Sequence, residues 1–124
     1  MKQKEYKVFV EDEESYKREP ATLIKDHENK KMKIRFKNME KEVDFDGNWH
    51  KTLRNLDLKL NNQDYKIICN GTSKNVISCG MCVNMGDGSK SYRFVEKKPV
   101  PIDTLSYSEW NEYSTYEEQK KILK

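Results

Sequence analysis

Two cysteines stand in Cys79-Gly80-Met81-Cys82, the C-x-x-C spacing at which paired thiols exchange disulfides or supply half of a zinc site. A redox pair needs its thiolate stabilised, usually at a helix N-terminus after a strand. The apolar Val76-Ile77 just upstream is compatible with that. Zinc needs two further ligands. Cys69 and one of the two histidines, His27 or His50, are the candidates, but there is no second C-x-x-C and no paired histidines. A lone C-x-x-C is a weak motif, so Cys69, Cys79 and Cys82 carry only a minor metal or redox reading, and no cofactor is expected. Three cysteines, an odd number, also argue against a disulfide framework.

Next comes Met85-Gly86-Asp87-Gly88-Ser89-Lys90, a glycine-rich loop ending in lysine. Such loops can turn backbone N–H groups toward phosphate. The spacing is neither that of a P-loop nor G-x-G-x-x-G. A tight turn with glycine at positive φ accounts for it equally well. Acid–base chemistry would need paired groups held in a pocket. His27 and His50 sit in no nucleophile motif, Ser78-Cys79-Gly80 is no nucleophile elbow, and the carboxylates fall on faces expected to be wet. Enzyme activity is therefore the minority reading.

The elements that must position these residues are visible in the apolar pattern. Tyr6, Val8 and Val10 alternate with polar neighbours and predict a strand, with Phe9 on its other face. Residues 11–29, with Pro20 among them, read as a loop. Met32, Ile34 and Phe36 alternate with Lys31, Lys33, Arg35 and Lys37; Val43 and Phe45 alternate with Glu42 and Asp44. Together they predict a hairpin with basic residues on one strand facing acidic ones on the other. Asp46-Gly47-Asn48 can cap a helix, and Trp49, Leu53, Leu56 and Leu60 mark one helical face running to Asn61-Asn62. His50, Lys51, Arg54, Asn55 and Lys59 fall largely elsewhere on that helix. Residues 65–69 and 91–95 read as strands, Asn70-Gly71 as a turn, and Pro99 and Pro101 as the close of the last strand. Two capping boxes, at residues 106–109 and 115–118, predict short C-terminal helices. The fold class is α+β: a small antiparallel sheet, one central amphipathic helix and short C-terminal helices, in one domain spanning 1–124.

Bulk composition narrows the class further. The chain has 124 residues, 35% hydrophobic and 36% charged, which predicts a thin core. Its net charge of +3 is too small to imply nucleic acid alone. No apolar run approaches the ~20 residues that span a bilayer, so a cytoplasmic protein without membrane contact is expected. Asn70-Gly71-Thr72 fits a glycosylation sequon but reads more simply as a turn.

From Asn70-Gly71 through Gly80-Met81 to Met85-Gly86-Asp87-Gly88-Ser89-Lys90-Ser91-Tyr92, the sequence resembles a pattern in short bacterial proteins, N-G … S-G-M-x-x-x-M-G-x-G-x-K-x-Y. The match covers about a fifth of the chain and is tied to no known activity. Cys79 stands where the pattern has serine, which weakens the C-x-x-C reading. The resemblance implies a small protein of the toxin-immunity type. A protein-binding module that neutralises a bacterial toxin is thus the first expectation, with a toxin or effector as partner. Its candidate binding residues are Met81, Met85, Asp87, Lys90, Tyr92, Tyr107, Trp110 and Tyr113, with Tyr116 a further aromatic anchor. The second is a nucleic-acid or nucleotide binder using residues 31–37 and 86–90. The aromatics Phe36, Phe45 and Phe94 are expected on the apolar face, the wrong side for stacking bases.

Overall fold

The computed structural model describes residues 3–77 and 89–122. Four strands run up and down in chain order: β1 (Gln3–Asp12), β2 (Arg18–Asp26), β3 (Lys31–Phe36) and β4 (Met39–Asp44). Helix α1 (Trp49–Asn61) follows, and β5 (Tyr65–Ile68) returns to pair with β1. The sheet order is β4-β3-β2-β1-β5, antiparallel throughout. A second sheet, β6-β7-β8, is built from Val76–Ile77, Lys90–Val95 and Lys98–Asp103. A short helix α2 (Tyr116–Ile122) ends the described chain. The architecture is α+β with antiparallel sheet dominant.

Alternation explains the first sheet. Tyr6, Val8 and Val10 of β1, Ala21 and Leu23 of β2, and Met32, Ile34 and Phe36 of β3 all turn to one face and are buried. The register aligns them in rows, such as Tyr6 with Leu23 and Leu23 with Ile34. Trp49, Leu53, Leu56 and Leu60 of α1 close over this face, with Ile67 and Leu105 completing the core. Asn48 starts α1 by accepting the Lys51 N–H at 2.8 Å. On the reverse face Phe9 lies beside Ile68 and meets the Tyr107 ring edge-on at 4.9 Å. The basic strand β3 is matched across the hairpin, Arg35 to Glu40 at 3.2 Å and Lys31 to Glu42 at 2.9 Å.

Three expectations need correction. Residues 18–26 form strand β2, not a loop. Its inward positions read Ala21, Leu23 and Lys25, and the buried lysine disguises the alternation. Pro20 is tolerated opposite Phe9. Residues 98–103 form β8, although Pro99 and Pro101 lie within it. Finally, residues 106–109 do not start a helix. The box at 115–118 does: Thr115 N–H donates to Glu118 Oε1 at 2.9 Å and Glu118 N–H to Thr115 Oγ1 at 3.2 Å.

The core and the C-terminal segment meet at one 3-10 turn, Asn70–Thr72. A Cβ on Gly71 would stand 2.8 Å from Thr104 Cγ2 and 2.9 Å from the Thr104 carbonyl, and would also collide with Leu53. Gly47 is the opposite case: its surroundings are open but its φ is +84°. Gly71→Ala should therefore cost about 1–3 kcal/mol through overpacking, and Gly47→Ala about 1–2 kcal/mol through backbone strain alone. Urea unfolding of both variants checks this; the Gly71 variant should also show shifted NMR signals from Leu53 and Thr104.

Candidate functional site

The stripe of α1 that lies beside the leucines carries His50, Arg54, Asp57 and Asn61. The apolar pattern puts them on the wetter side of the helix, yet His50, Arg54 and Asp57 are buried. Residues 104–119 cover them. Their spacing of four, three and four residues is itself helical, so the stripe is legible as a face. Its polarity hides the fact that chain folds over it.

Every member of this stripe has a defined partner. The His50 Nε2–H donates to the Gly71 carbonyl at 2.9 Å, which fixes the tautomer because a carbonyl can only accept. Arg54 donates from Nε to Gln119 Oε1 at 3.2 Å and from Nη1 to Asp57 Oδ2 at 3.3 Å. Asp57 also accepts the Ile67 N–H at 2.9 Å and the Tyr113 hydroxyl at 2.6 Å. Asn61 donates to the Tyr65 carbonyl at 2.8 Å. Gln119 closes the seam by donating to the Ser73 carbonyl at 2.7 Å and the Gly71 carbonyl at 3.1 Å.

Burial governs the protonation of these groups. It holds His50 neutral, down at about 4, against the pull of the Gly71 carbonyl and with help from the Arg54 cation. It pushes Asp57 above the usual carboxylate value, opposed by the Ile67 N–H, the Tyr113 hydroxyl and Arg54. Tyr113 is pushed up by burial and by the Asp57 carboxylate. Burial also raises the Cys69 thiol to about 12, so it is a packed core group and no nucleophile. Among the described residues no three His, Cys, Asp or Glu side chains come together as metal ligands. The seam has the chemistry of a structural lock: its carboxylate and imidazole face protein groups.

The second sheet presents a different surface. Its β7–β8 hairpin turns through Glu96 and Lys97, both at positive φ (51° and 69°), which makes a type I′ turn. Phe94, Val95 and Val100 are 38%, 39% and 41% exposed, three of the five large apolar side chains exposed in the described chain. Phe94 lies on one face of the hairpin with Pro99; Val95 and Val100 lie on the other with Arg93. Four cations, Lys90, Arg93, Lys97 and Lys98, stand against two carboxylates, Glu96 and Asp103, in this hairpin. Arg93 stacks on Trp110 at 4.0 Å.

The expected binding residues separate accordingly. Lys90 is exposed at the start of β7, Tyr92 is half-buried opposite Pro101, and Trp110 lies under Arg93. Tyr107 packs on Phe9, and Tyr113 is tied to Asp57. Tyr116 meets His50 at 6.2 Å between ring centroids. Met81, Met85 and Asp87, with Cys79 and Cys82, lie outside the described residues. Sequence reasoning misses Val95 and Val100, and it places Phe94 on a buried face. No helix among the described residues is long and apolar enough to cross a membrane.

No family model matches this chain, and no curated protein matches it.

His50 makes the seam pH-sensitive. Its folded value of about 4 lies below the unfolded 6.5. Its stabilising contribution is therefore whole above pH 6.5 and is lost as pH falls toward 4, about 3 kcal/mol across that window. His50→Gln removes the titration. Chemical denaturation at a series of pH values should show the wild type losing stability between pH 6.5 and 4 more steeply than the variant. Equal slopes would contradict the assignment.

Proposed function

We propose that the chain is a protein-binding module that docks through the β7–β8 hairpin, in its most concrete form an immunity protein that blocks a bacterial toxin by direct binding. The observation that carries the reading is the exposure of Phe94, Val95 and Val100 on one basic hairpin. Exposed apolar side chains on both faces of a hairpin with an excess of cations suit a partner that grips the hairpin, with the charge steering a partner of opposite sign. The partner surface should accordingly offer apolar contacts to both faces and carry a net acidic charge. The toxin-neutralising role rests on the resemblance around residues 70–92.

Register also bears on how a partner would engage. In a two-residue hairpin the closing pair, here Val95 and Lys98, is hydrogen-bonded, and the pairs alternate from there. Phe94–Pro99 and Tyr92–Pro101 are then non-hydrogen-bonded pairs. The Phe94 N–H does point away from β8, to the Asn75 carbonyl at 3.0 Å. The Pro99 and Pro101 nitrogens consequently face the outer edge of β8, where proline offers no donor. Strand addition at that edge would lack two donors, so recognition falls to the side chains on the faces and the tip.

The deciding experiment is complex formation with the product of the gene adjacent to its own. Phe94→Glu and Val100→Glu should each weaken binding by about 30-fold or more if these are anchors. Tyr16→Glu, at a turn residue 73% exposed and in another part of the fold, should leave affinity within about twofold. Circular dichroism confirms that the variants fold. Failure to form a complex, or equal affinity in the Phe94 and Val100 variants, overturns the reading.

A further inference from the structure

The face of the first sheet turned away from α1 carries a shallow depression of about 260 Å³. Pro20 and Thr22 of β2 lie at its middle, Lys7 of β1 on one side and Arg35 of β3 on the other, with Lys37 at the end of β3. Register brings them together. Lys7 stands directly opposite Thr22, and Thr22 directly opposite Arg35. All three alternate with the core residues Val8, Leu23 and Ile34, so they share the outer face. Neighbouring strands lie ~4.8 Å apart, so the two cations rise from backbones about 10 Å apart with the threonine hydroxyl midway. Both long side chains can close on one small group seated over Thr22.

These donors are open to solvent and have capacity to spare. Lys7 is exposed, and among the described residues neither its ammonium nor the Thr22 hydroxyl has a partner. The Arg35 side chain is 59% exposed and meets Glu40 through Nε at 3.2 Å, which leaves both Nη groups to donate elsewhere. Lys37, 50% exposed, stands 3.8 Å from Glu19, beyond hydrogen-bond range. Three cations thus line the depression, while the two nearby carboxylates, Glu19 and Glu40, do not. An entering anion meets positive charge on three sides.

The arrangement of donors also defines what kind of anion. A carboxylate holds its two oxygens in one plane, whereas these donors arrive from both sides, from one end and from below. That suits a tetrahedral group. A phosphate monoester carries about −1.5 to −2 charge at pH 7 and three acceptor oxygens, two of which the Arg35 Nη pair can take together. The volume falls below the roughly 300–1,000 Å³ of larger ligand sites, so it suits a phosphate with a few carbon atoms beside Pro20. We propose that this depression binds a phosphate monoester. It shares no residue with the β7–β8 hairpin and does not depend on hairpin docking.

An NMR titration of the whole protein, following the backbone amides of Lys7, Thr22 and Arg35, tests this. The probes are glycerol 3-phosphate, a capped hexapeptide containing phosphoserine, sodium acetate and a single-stranded hexanucleotide, all at matched ionic strength. Saturable shifts with the two monoesters, and at least tenfold weaker binding of acetate, are expected. Tighter binding of the phosphopeptide assigns the phosphate to a protein segment, and tighter binding of glycerol 3-phosphate to a free metabolite; either supports the chemistry. Lys7→Met and Arg35→Met should each weaken glycerol 3-phosphate binding at least fivefold, and Thr22→Val, which removes the hydroxyl, at least threefold. Lys33→Met, which removes the same charge from the same face of β3 outside the depression, should leave affinity within about twofold. Circular dichroism confirms that the variants fold. No saturable shift with either monoester, equal losses in the Lys33 and Lys7 variants, or tighter binding of the oligonucleotide than of both monoesters overturns the proposal.

Discussion

The backbone of residues 69–73 is the constraint on which the remainder of the structure depends. It is a buried turn, and its peptide groups cannot reach water, so every one needs a partner from the protein. The partners come from distant segments. Gly71 N–H donates to the Thr104 carbonyl at 2.7 Å and Asn70 N–H to the Ser106 carbonyl at 2.8 Å. Ser114 N–H reaches the Thr72 carbonyl at 2.9 Å, and just beyond the turn Lys74 N–H reaches that of Glu112 at 2.9 Å. Within the turn Thr72 N–H bonds the Cys69 carbonyl and Ser73 N–H that of Asn70. Gln119 donates to the Ser73 and Gly71 carbonyls and His50 to the Gly71 carbonyl, while the Asn111 side chain holds the Asn70 side chain. Such close approach of chain to chain is why residue 71 has no side chain.

Two kinds of cohesion thus divide the molecule. The five-stranded sheet and α1 are held by apolar burial, which is tolerant of detail and supplies most of the driving force. Residues 104–119 are held by a polar seam in which each bond is individually demanding, because an unmade one stays buried. The seam gives direction rather than bulk stability. It fixes the base of the second sheet through Thr104, whose amide donates to the Ser89 carbonyl at 2.9 Å and whose hydroxyl bonds Ser91 at 2.6 Å. Lys25, buried in β2, reaches Ser89 Oγ at 2.6 Å from the other side. The exposed side chains of the hairpin therefore project from a firmly held root.

How much of this can be read from sequence follows from which forces are at work. Periodicity finds β1 and β3, whose buried positions are apolar, and α1 with its Asn48 cap from the buried Trp49, Leu53, Leu56 and Leu60. β4 and β7 are found from alternation alone, and the buried position of β7 is the polar Ser91. It fails where a buried position is polar. Lys25 breaks the pattern of β2, and His50, Arg54 and Asp57 look like a wet helix face. Prolines read as terminators at 99 and 101, but on an edge strand their missing donors cost nothing internally. Asn70-Gly71 is legible as a turn, yet nothing local says that it is buried, because its partners lie more than thirty residues further along the chain. The exposed hairpin residues are illegible for the converse reason: Phe94 is apolar and its pattern points inward, although it stays 38% exposed.

Amide hydrogen exchange on the intact protein tests the role of this turn most directly. If residues 69–73 tie the C-terminal segment into the fold, the amides of Asn70, Gly71, Lys74 and Ser114 should exchange only through global unfolding, with the same opening free energy as Leu23 in the middle of the first sheet. Exchange of Lys74 and Ser114 through a separate, lower-energy opening while Leu23 stays protected would show that the segment detaches on its own, and would contradict the account.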